Sequence, residues 1–240
     1  MNGYFDRPDT IFIIQEPAVK KYIATDLEGT LTVAEGWKSI RRYFQAHGRG
    51  AAFQRFFLSQ LPRILLNRLN WLDVSILRLR WMEDMATLFR DCTRDELAEI
   101  GTWMMEHDLW PQRREAVLAE VMRHHARGGH VILASAMYEP LLTPIAKWLS
   151  SERVEVVGTP LEFRDGRATG RCAGPICSGE VKAQQVKERI NSGELESAYG
   201  DTGPDAPMLA LSRRPVAVYP DDALSFIAHE RGWRLVSSAE

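Results

Sequence analysis

Lys20-Lys21-Tyr22-Ile23-Ala24-Thr25-Asp26-Leu27-Glu28-Gly29-Thr30 is the stretch whose reading decides the fold. A short apolar run, Tyr22 to Thr25, follows two lysines and stops at Asp26 and Gly29, as a buried parallel strand does when it meets a turn. Two carboxylates two residues apart at a strand end can divide the work. One faces the ligand as nucleophile or metal ligand, and the other swings over the turn as acid or base. The phosphoryl ester of a carboxylate is reactive, so an aspartate here suits phosphoryl transfer. Asp and Gly are also ordinary turn residues, and the rest of the chain has to decide between the two readings.

Working outward, Ile11-Phe12-Ile13-Ile14 reads as an edge strand, and the pattern changes completely from about Val33 to Trp110. Apolar residues there recur at helical spacing, as at Phe53, Phe56, Phe57, Leu61, Ile64, Leu65 and Leu69. Pro62 is expected to start or kink a helix, and Thr93-Arg94-Asp95-Glu96 fits a capping box opening a helix through Ile100. After Trp110-Pro111, helices and strands alternate. Helices are expected over Arg113–Arg127, Glu139–Leu149 and Val181–Ile190. Strands are expected over His130–Ala134, Val154–Val157 and Pro215–Tyr219, with a strand end at Ser197–Gly200 and a hairpin around Asp165-Gly166. This alternation predicts an α/β fold, a Rossmann-like parallel sheet interrupted by an inserted all-helical segment. In such sheets the ligand lies beyond the carboxyl ends of the strands.

Four strand ends carry chemistry. Asp26 and Glu28 are the first. Ser135, after Val131-Ile132-Leu133-Ala134, offers a hydroxyl and, with Ala136, backbone N–H groups for phosphate oxygens; its alternative is to cap the next helix. Lys182 is one of six lysines among 30 basic residues, and its compact ammonium could neutralise a phosphoryl group, or it is an ordinary surface lysine. Tyr199-Gly200-Asp201-Thr202-Gly203-Pro204-Asp205 places two carboxylates four residues apart, which suits Mg²⁺ or an acidic helix N-terminus.

In that order, at four separate junctions, these signals resemble the haloacid dehalogenase-like phosphatase superfamily, and most closely its phosphoserine phosphatase-like branch. The resemblance covers Tyr22–Val33 and about Arg113–Pro220, and Cys-Ser-Gly-Glu-Val-Lys before and at Lys182 supports that branch. It implies a core domain of residues 1–33 and 110–240 and a helical cap of 34–109. It implies that Asp26 is the nucleophile and Glu28 the general acid/base, and that Mg²⁺ is held by Asp26, the Glu28 backbone carbonyl and Asp201, with Asp205 in support. Ser135 and Lys182 would hold the phosphoryl oxygens. Glu35 matches the position that binds the substrate amine in phosphoserine phosphatases, and Arg78 and Arg80 are the nearest candidates for the carboxylate. Glu28 replaces the usual Asp, which lengthens the acid by one C–C bond, ~1.5 Å, and Thr202 stands where Ser is common. The expected activity is hydrolysis of a small phosphate monoester. Phosphotransfer to an alcohol acceptor and a non-catalytic phosphoryl- or lipid-binding role are the alternatives.

Composition narrows the field further. At 240 residues, 45% hydrophobic and 26% charged with formal net charge −2, the chain is globular rather than disordered. No run of about 18 apolar residues exists, so no spanning helix is expected. The start, MNGYFDRPDT, lacks a basic region followed by an apolar one, so no secretory leader is expected and a cytoplasmic setting is. Cys92, Cys172 and Cys177 make neither a disulfide framework nor a zinc set. Glu120 and His124 read as a solvated helix face. No Gly-x-Ser-x-Gly elbow, dinucleotide motif or RNA-binding signature occurs, so no nucleic-acid partner is expected. From Glu35 to Arg80, nine basic residues face two acidic ones, and from Glu83 to Asp108 eight acidic face two basic. This predicts either a basic surface for an anionic ligand or two complementary helical faces. The basic half is also strongly apolar (Phe56-Phe57-Leu58, Ile64-Leu65-Leu66, Trp71-Leu72, Ile76-Leu77), which fits a cap core, an amphipathic substrate or peripheral contact with a membrane.

Overall fold

A computed structural model describes residues 20–68, 74–150 and 152–237. The run Ile11–Ile14 and the apolar Leu69, Trp71 and Leu72 lie outside the described residues. Six parallel strands form one sheet: β1 (Lys21–Thr25), β2 (His130–Tyr138), β3 (Val154–Thr159), β6 (Glu194–Gly200), β7 (Arg214–Val218) and β8 (Arg234–Val236), in the order β3-β2-β1-β6-β7-β8. The hairpin strands β4 (Leu161–Arg164) and β5 (Arg167–Cys172) pair antiparallel beside it. Asp165 and Gly166 take φ of 50° and 77°, the left-handed turn that an Asp-Gly pair favours.

The period of two along the strands divides the core into two faces. Ile23, Val131, Leu133, Tyr199 and Val216 pack on one side with Val117, Leu118 and Val121 of α5 (Glu115–Ala126) and Leu141, Leu142 and Ile145 of α6 (Glu139–Leu149). Tyr22, Ala24, Ile132, Ala134 and Ala198 pack on the other side. Their partners are Ala183 and Val186 of α7 (Glu180–Ile190) and Met208 and Leu209 of α8 (Ala206–Ala210). α9 (Asp222–Arg231) covers Ala217 through Leu224 and Ala228.

The helical segment consists of α1 (Gly36–Ala46), α2 (Gly50–Arg68), α3 (Val74–Met85), a 3₁₀ turn at Ala86–Phe89 and α4 (Arg94–Met104), extended by a π turn at Met105–Leu109. Thr93 caps α4 with the expected box: its side chain accepts the Glu96 N–H and the Glu96 carboxylate accepts the Thr93 N–H. Leu97, Ile100 and Met104 of α4 share the first core face with α6, and Ile40 and Phe44 of α1 extend it. Part of the charge asymmetry is met between helices, where Arg42 pairs with Asp108 and Arg63 with Asp84, and Arg80 pairs with Glu83 along α3.

Pro62 lies inside α2, so of its two expected roles it does not take that of starting the helix. Two other expectations need correction. α5 begins at Glu115, because the Arg114 N–H donates to the Leu31 carbonyl and Arg113 bridges to Thr32. β2 continues past Ala134 to Tyr138, with a register break against β3 between those residues.

Candidate active site

Register brings the chemistry to one edge. Thr25 lies beside Leu133 of β2 on one side and Tyr199 of β6 on the other. Asp26 and Asp201 therefore follow the ends of β1 and β6, and Ser135, still within β2, lies within two residues of them at the same edge. The Asp26 N–H donates to the Tyr199 carbonyl at 2.9 Å and fixes the start of the loop. That loop closes on itself, with the Leu31 and Thr32 N–H groups on the Leu27 carbonyl and the Gly29 N–H on the Thr32 carbonyl. Gly29 has φ +81°, and a Cβ there would lie 1.9 Å from the Asp201 carboxylate, so glycine is required both by conformation and by space.

Lys182, in the first turn of α7, reaches between two carboxylates. Its Nζ donates to Asp26 Oδ1 and to Asp205 Oδ1, each at 2.7 Å, and all three groups are buried. The other Asp205 oxygen, Oδ2, accepts the Asp201 and Thr202 N–H groups and the Thr202 hydroxyl at 3.0–3.2 Å. Both Asp205 oxygens are thus engaged, which makes this residue an anchor for the loop and for Lys182. Asp201 accepts the Thr30 hydroxyl at 3.2 Å. Carboxylate oxygens of Asp26, Asp201 and Asp205 all lie within 4.8 Å of one another.

The electrostatics follow from that crowding. Burial raises Asp26 well above the ordinary aspartate value, the Lys182 ammonium acts against this, and Asp205 and Asp201 add to it. Burial and then the Asp205 charge push Asp201 up to about 7. Burial would raise Asp205 too, but the Lys182 charge and its hydrogen bond outweigh it and hold the carboxyl low. Burial opposes the charge on Lys182, yet Asp205 and Asp26 hold its ammonium far above the usual lysine range. Three carboxylates against one ammonium leave a formal −2. Hard oxygen donors with excess negative charge fit a small divalent cation such as Mg²⁺.

Glu28 turns away from this group toward α1. Its Oε2 accepts the Gly36 N–H at 2.7 Å, at the helix N-terminus. A Cβ on Gly36 would lie 2.6 Å from Glu28 Oε1 and 2.5 Å from the Met137 methyl, so Glu28, Gly36 and Met137 meet directly. Burial raises the Glu28 carboxyl, partly offset by the Gly36 hydrogen bond and the Lys182 charge. An acid that holds its proton longer suits proton transfer, and here it lies on the side of the helical segment.

Ser135 is buried in β2, and its Oγ accepts the Met137 N–H at 3.1 Å. It does not cap α6, whose N-cap is Tyr138 without a side-chain bond. The Ala136 carbonyl accepts the Thr159 hydroxyl at 2.7 Å, and the Thr159 oxygen accepts the Cys177 N–H at 3.0 Å. Thr159 thereby ties the Ser135–Met137 segment to the loop that leads to Lys182. Glu35, exposed at the N-cap of α1, accepts from Trp37 Nε1 and Lys38 Nζ. Arg78 and Arg80 are exposed on α3, with Arg80 paired to Glu83. The structure thus joins Asp26, Lys182, Asp201 and Asp205 by direct contact and sets Glu28 and Ser135 at their flanks. It gives Glu35 and Arg80 local partners instead.

Sequence reasoning missed the supporting residues. Thr30 and Thr202 hold the two loop carboxylates, and Arg114 donates from Nε to the Gly29 carbonyl at 2.9 Å while lying 3.8 Å over the Tyr219 ring. Asp221 accepts the Gly203 and Leu224 N–H groups, tying the Asp201 loop to α9. Glu120 is not a solvated group: it accepts the Tyr199 hydroxyl at 2.9 Å and Arg234 Nη1 at 2.6 Å.

Beyond the carboxyl ends of a parallel sheet, three carboxylates and a buried lysine thus meet, an arrangement that suits phosphoryl transfer. Residues 23–210 match the haloacid dehalogenase-like hydrolase family, and the chain belongs to it as a phosphatase-like member. It is 29% identical over 153 residues to the histidinol-phosphatase of Neisseria meningitidis serogroup C (strain 8013), covering 60% of this chain and 68% of the relative. It is 34% identical over 142 residues to the phosphoserine phosphatase SerB1 of Mycobacterium tuberculosis, covering 57% of this chain and spanning 44% of that relative's length. A solved protein of unknown function from Bordetella pertussis has the same fold, with a TM-score of 0.74, 24% identity, and coverage of 91% of this chain and 98% of its own.

Proposed function

We propose that this chain is a Mg²⁺-dependent phosphatase that hydrolyses a small phosphate monoester through an aspartyl-phosphate on Asp26. The observation that carries the reading is the buried Lys182 ammonium bridging Asp26 and Asp205 beside the Asp201 carboxylate. In the first step an Asp26 oxygen attacks phosphorus and the P–O bond to the leaving group breaks, while Glu28 gives its proton to the departing oxygen. In the second, Glu28 as carboxylate takes a proton from water, whose oxygen attacks phosphorus and frees Asp26 and inorganic phosphate. Lys182 and the Ser135 hydroxyl hold phosphoryl oxygens, and Lys182 screens Asp26 from the incoming dianion. Mg²⁺, bound by Asp26, the Glu28 carbonyl and Asp201 with Asp205 in support, would neutralise charge on the transferring group.

In this reading residues 34–109 form the cap that selects the substrate, with Glu35, Arg78, Arg80 and the Ala136 backbone as its contacts, on a core of 1–33 and 110–240. The Gly36 amide on Glu28 supports it, because it links the start of the helical segment to the acid. A cytoplasmic setting belongs to this proposal. The test is phosphate release from an aryl phosphate with Mg²⁺ or with EDTA, in the native protein and in Asp26→Asn. Mg²⁺-dependent turnover that the substitution abolishes supports the assignment. Turnover that persists in EDTA and in Asp26→Asn overturns it.

A further inference from the structure

Helix α2 is apolar on two opposite sides. Phe53, Phe56 and Gln60 point inward and are buried, with Phe56 meeting Trp81 of α3 at 5.0 Å between ring centroids. On the other side Leu58 and Leu65 are each 60% exposed, and Leu61 is exposed between them. At 100° per residue these three leucines fall within an arc of about 60°, a continuous outward stripe. α3 adds exposed Ile76 and Leu79. A helix apolar all round asks for a partner on both faces, and among the described residues only the inner face has one.

Charge selects the second partner. The α2 sequence Gly50–Arg68 contains Arg55, Arg63 and Arg68 and no acidic residue; the two acids of α3, Glu83 and Asp84, lie in its last turn and pair with Arg80 and Arg63, while Arg55 and Arg78 are exposed without an ion pair among the described residues. A second copy docked through the same face would set arginines against arginines. An anionic bilayer takes both features at once, leucines into the acyl boundary and guanidinium groups onto lipid phosphates. No described helix is long and apolar enough to cross a membrane, so the contact is one that lies on the surface. From this stripe and the exposed Arg55 and Arg78 beside it we propose that the outward face of α2, extended by α3, docks the protein onto anionic lipid membranes. The proposal stands apart from the catalytic reading, because binding needs no turnover.

The experiment is flotation of the full chain with phosphatidylcholine vesicles, with and without phosphatidylglycerol. The expected result is co-flotation with the phosphatidylglycerol vesicles alone. It falls to the phosphatidylcholine level in Leu58→Ser/Leu65→Ser and weakens about fivefold in Arg55→Ala, the change expected for one cation at the surface. These side chains are exposed, so both variants should melt at the native temperature, and circular dichroism checks that. Absence of flotation with anionic vesicles overturns the proposal, as does flotation that the double substitution leaves unchanged. A dimer in light scattering that the same substitution dissolves, without vesicle binding, assigns the face to a second copy and overturns it too.

Discussion

Replacing Lys182 by Met removes the ammonium between Asp26 and Asp205 and keeps most of the side-chain volume. Two buried carboxylates are then left facing each other, with Asp201 beside them. Removing one partner of a buried ion pair costs about 3–5 kcal/mol. The carboxylates can escape part of this by taking up a proton, which from an ordinary aspartate value costs about 4 kcal/mol at pH 7 and about 1.4 kcal/mol less for each pH unit lower. The two figures agree. At about 2–4 °C per kcal/mol for a chain of this size, the expected loss in Tm at pH 7 is roughly 6–20 °C. Its sign with pH is fixed by linkage. In the variant the folded-state values of Asp26 and Asp205 rise, the native state binds more protons, and the deficit against the native protein shrinks as pH falls. The assay is a pair of melting curves at pH 7 and pH 5, both in EDTA so that no divalent cation replaces the ammonium. A loss below about 2 °C at pH 7, or a loss equal at both values, refutes the reasoning. Phosphate release should fall by roughly 10²–10³.

Gly29→Ala forces a Cβ onto the Asp201 carboxylate at a positive φ, so it should raise the Mg²⁺ concentration needed for half-maximal phosphate release at least tenfold; an unchanged requirement would contradict the packing. Arg114→Ala removes the donor to the Gly29 carbonyl and should lower stability by about 1.5 kcal/mol in urea unfolding, with a drop in kcat that Arg114→Lys only partly restores. Thr93→Ala removes the cap of α4 and should cost about 1 kcal/mol by the same measurement while leaving phosphate release intact.

Much of this was legible in the sequence for physical reasons. Strands buried on both faces read as apolar runs, and Asp26 and Asp201 mark where those runs meet the ligand edge. The Asp165-Gly166 hairpin and the Thr93 capping box are local devices whose residues are adjacent in the chain, so both were readable. Long-range partners were not. Nothing near Arg114 in sequence announces the Gly29 carbonyl, 85 residues away, and nothing near Glu120 announces Tyr199. The reach of β2 past Ser135 was hidden because the Ser135 hydroxyl satisfies the Met137 amide inside a register break, which looks in sequence like a strand stop before a cap. Arg42 with Asp108 and Arg63 with Asp84 pair across helices, partners that a count along the chain leaves open between a basic surface and complementary helical faces.

The most direct test of the account is the covalent step itself. Native protein mixed with an aryl phosphate and Mg²⁺, acid-quenched within the first turnover and read by intact and peptide mass spectrometry, should carry one phosphoryl group on the peptide containing Asp26. The adduct should accumulate in Glu28→Gln, which slows its hydrolysis, and be absent in Asp26→Asn. Phosphate release at full rate with no phosphorylated Asp26 in either protein would contradict it.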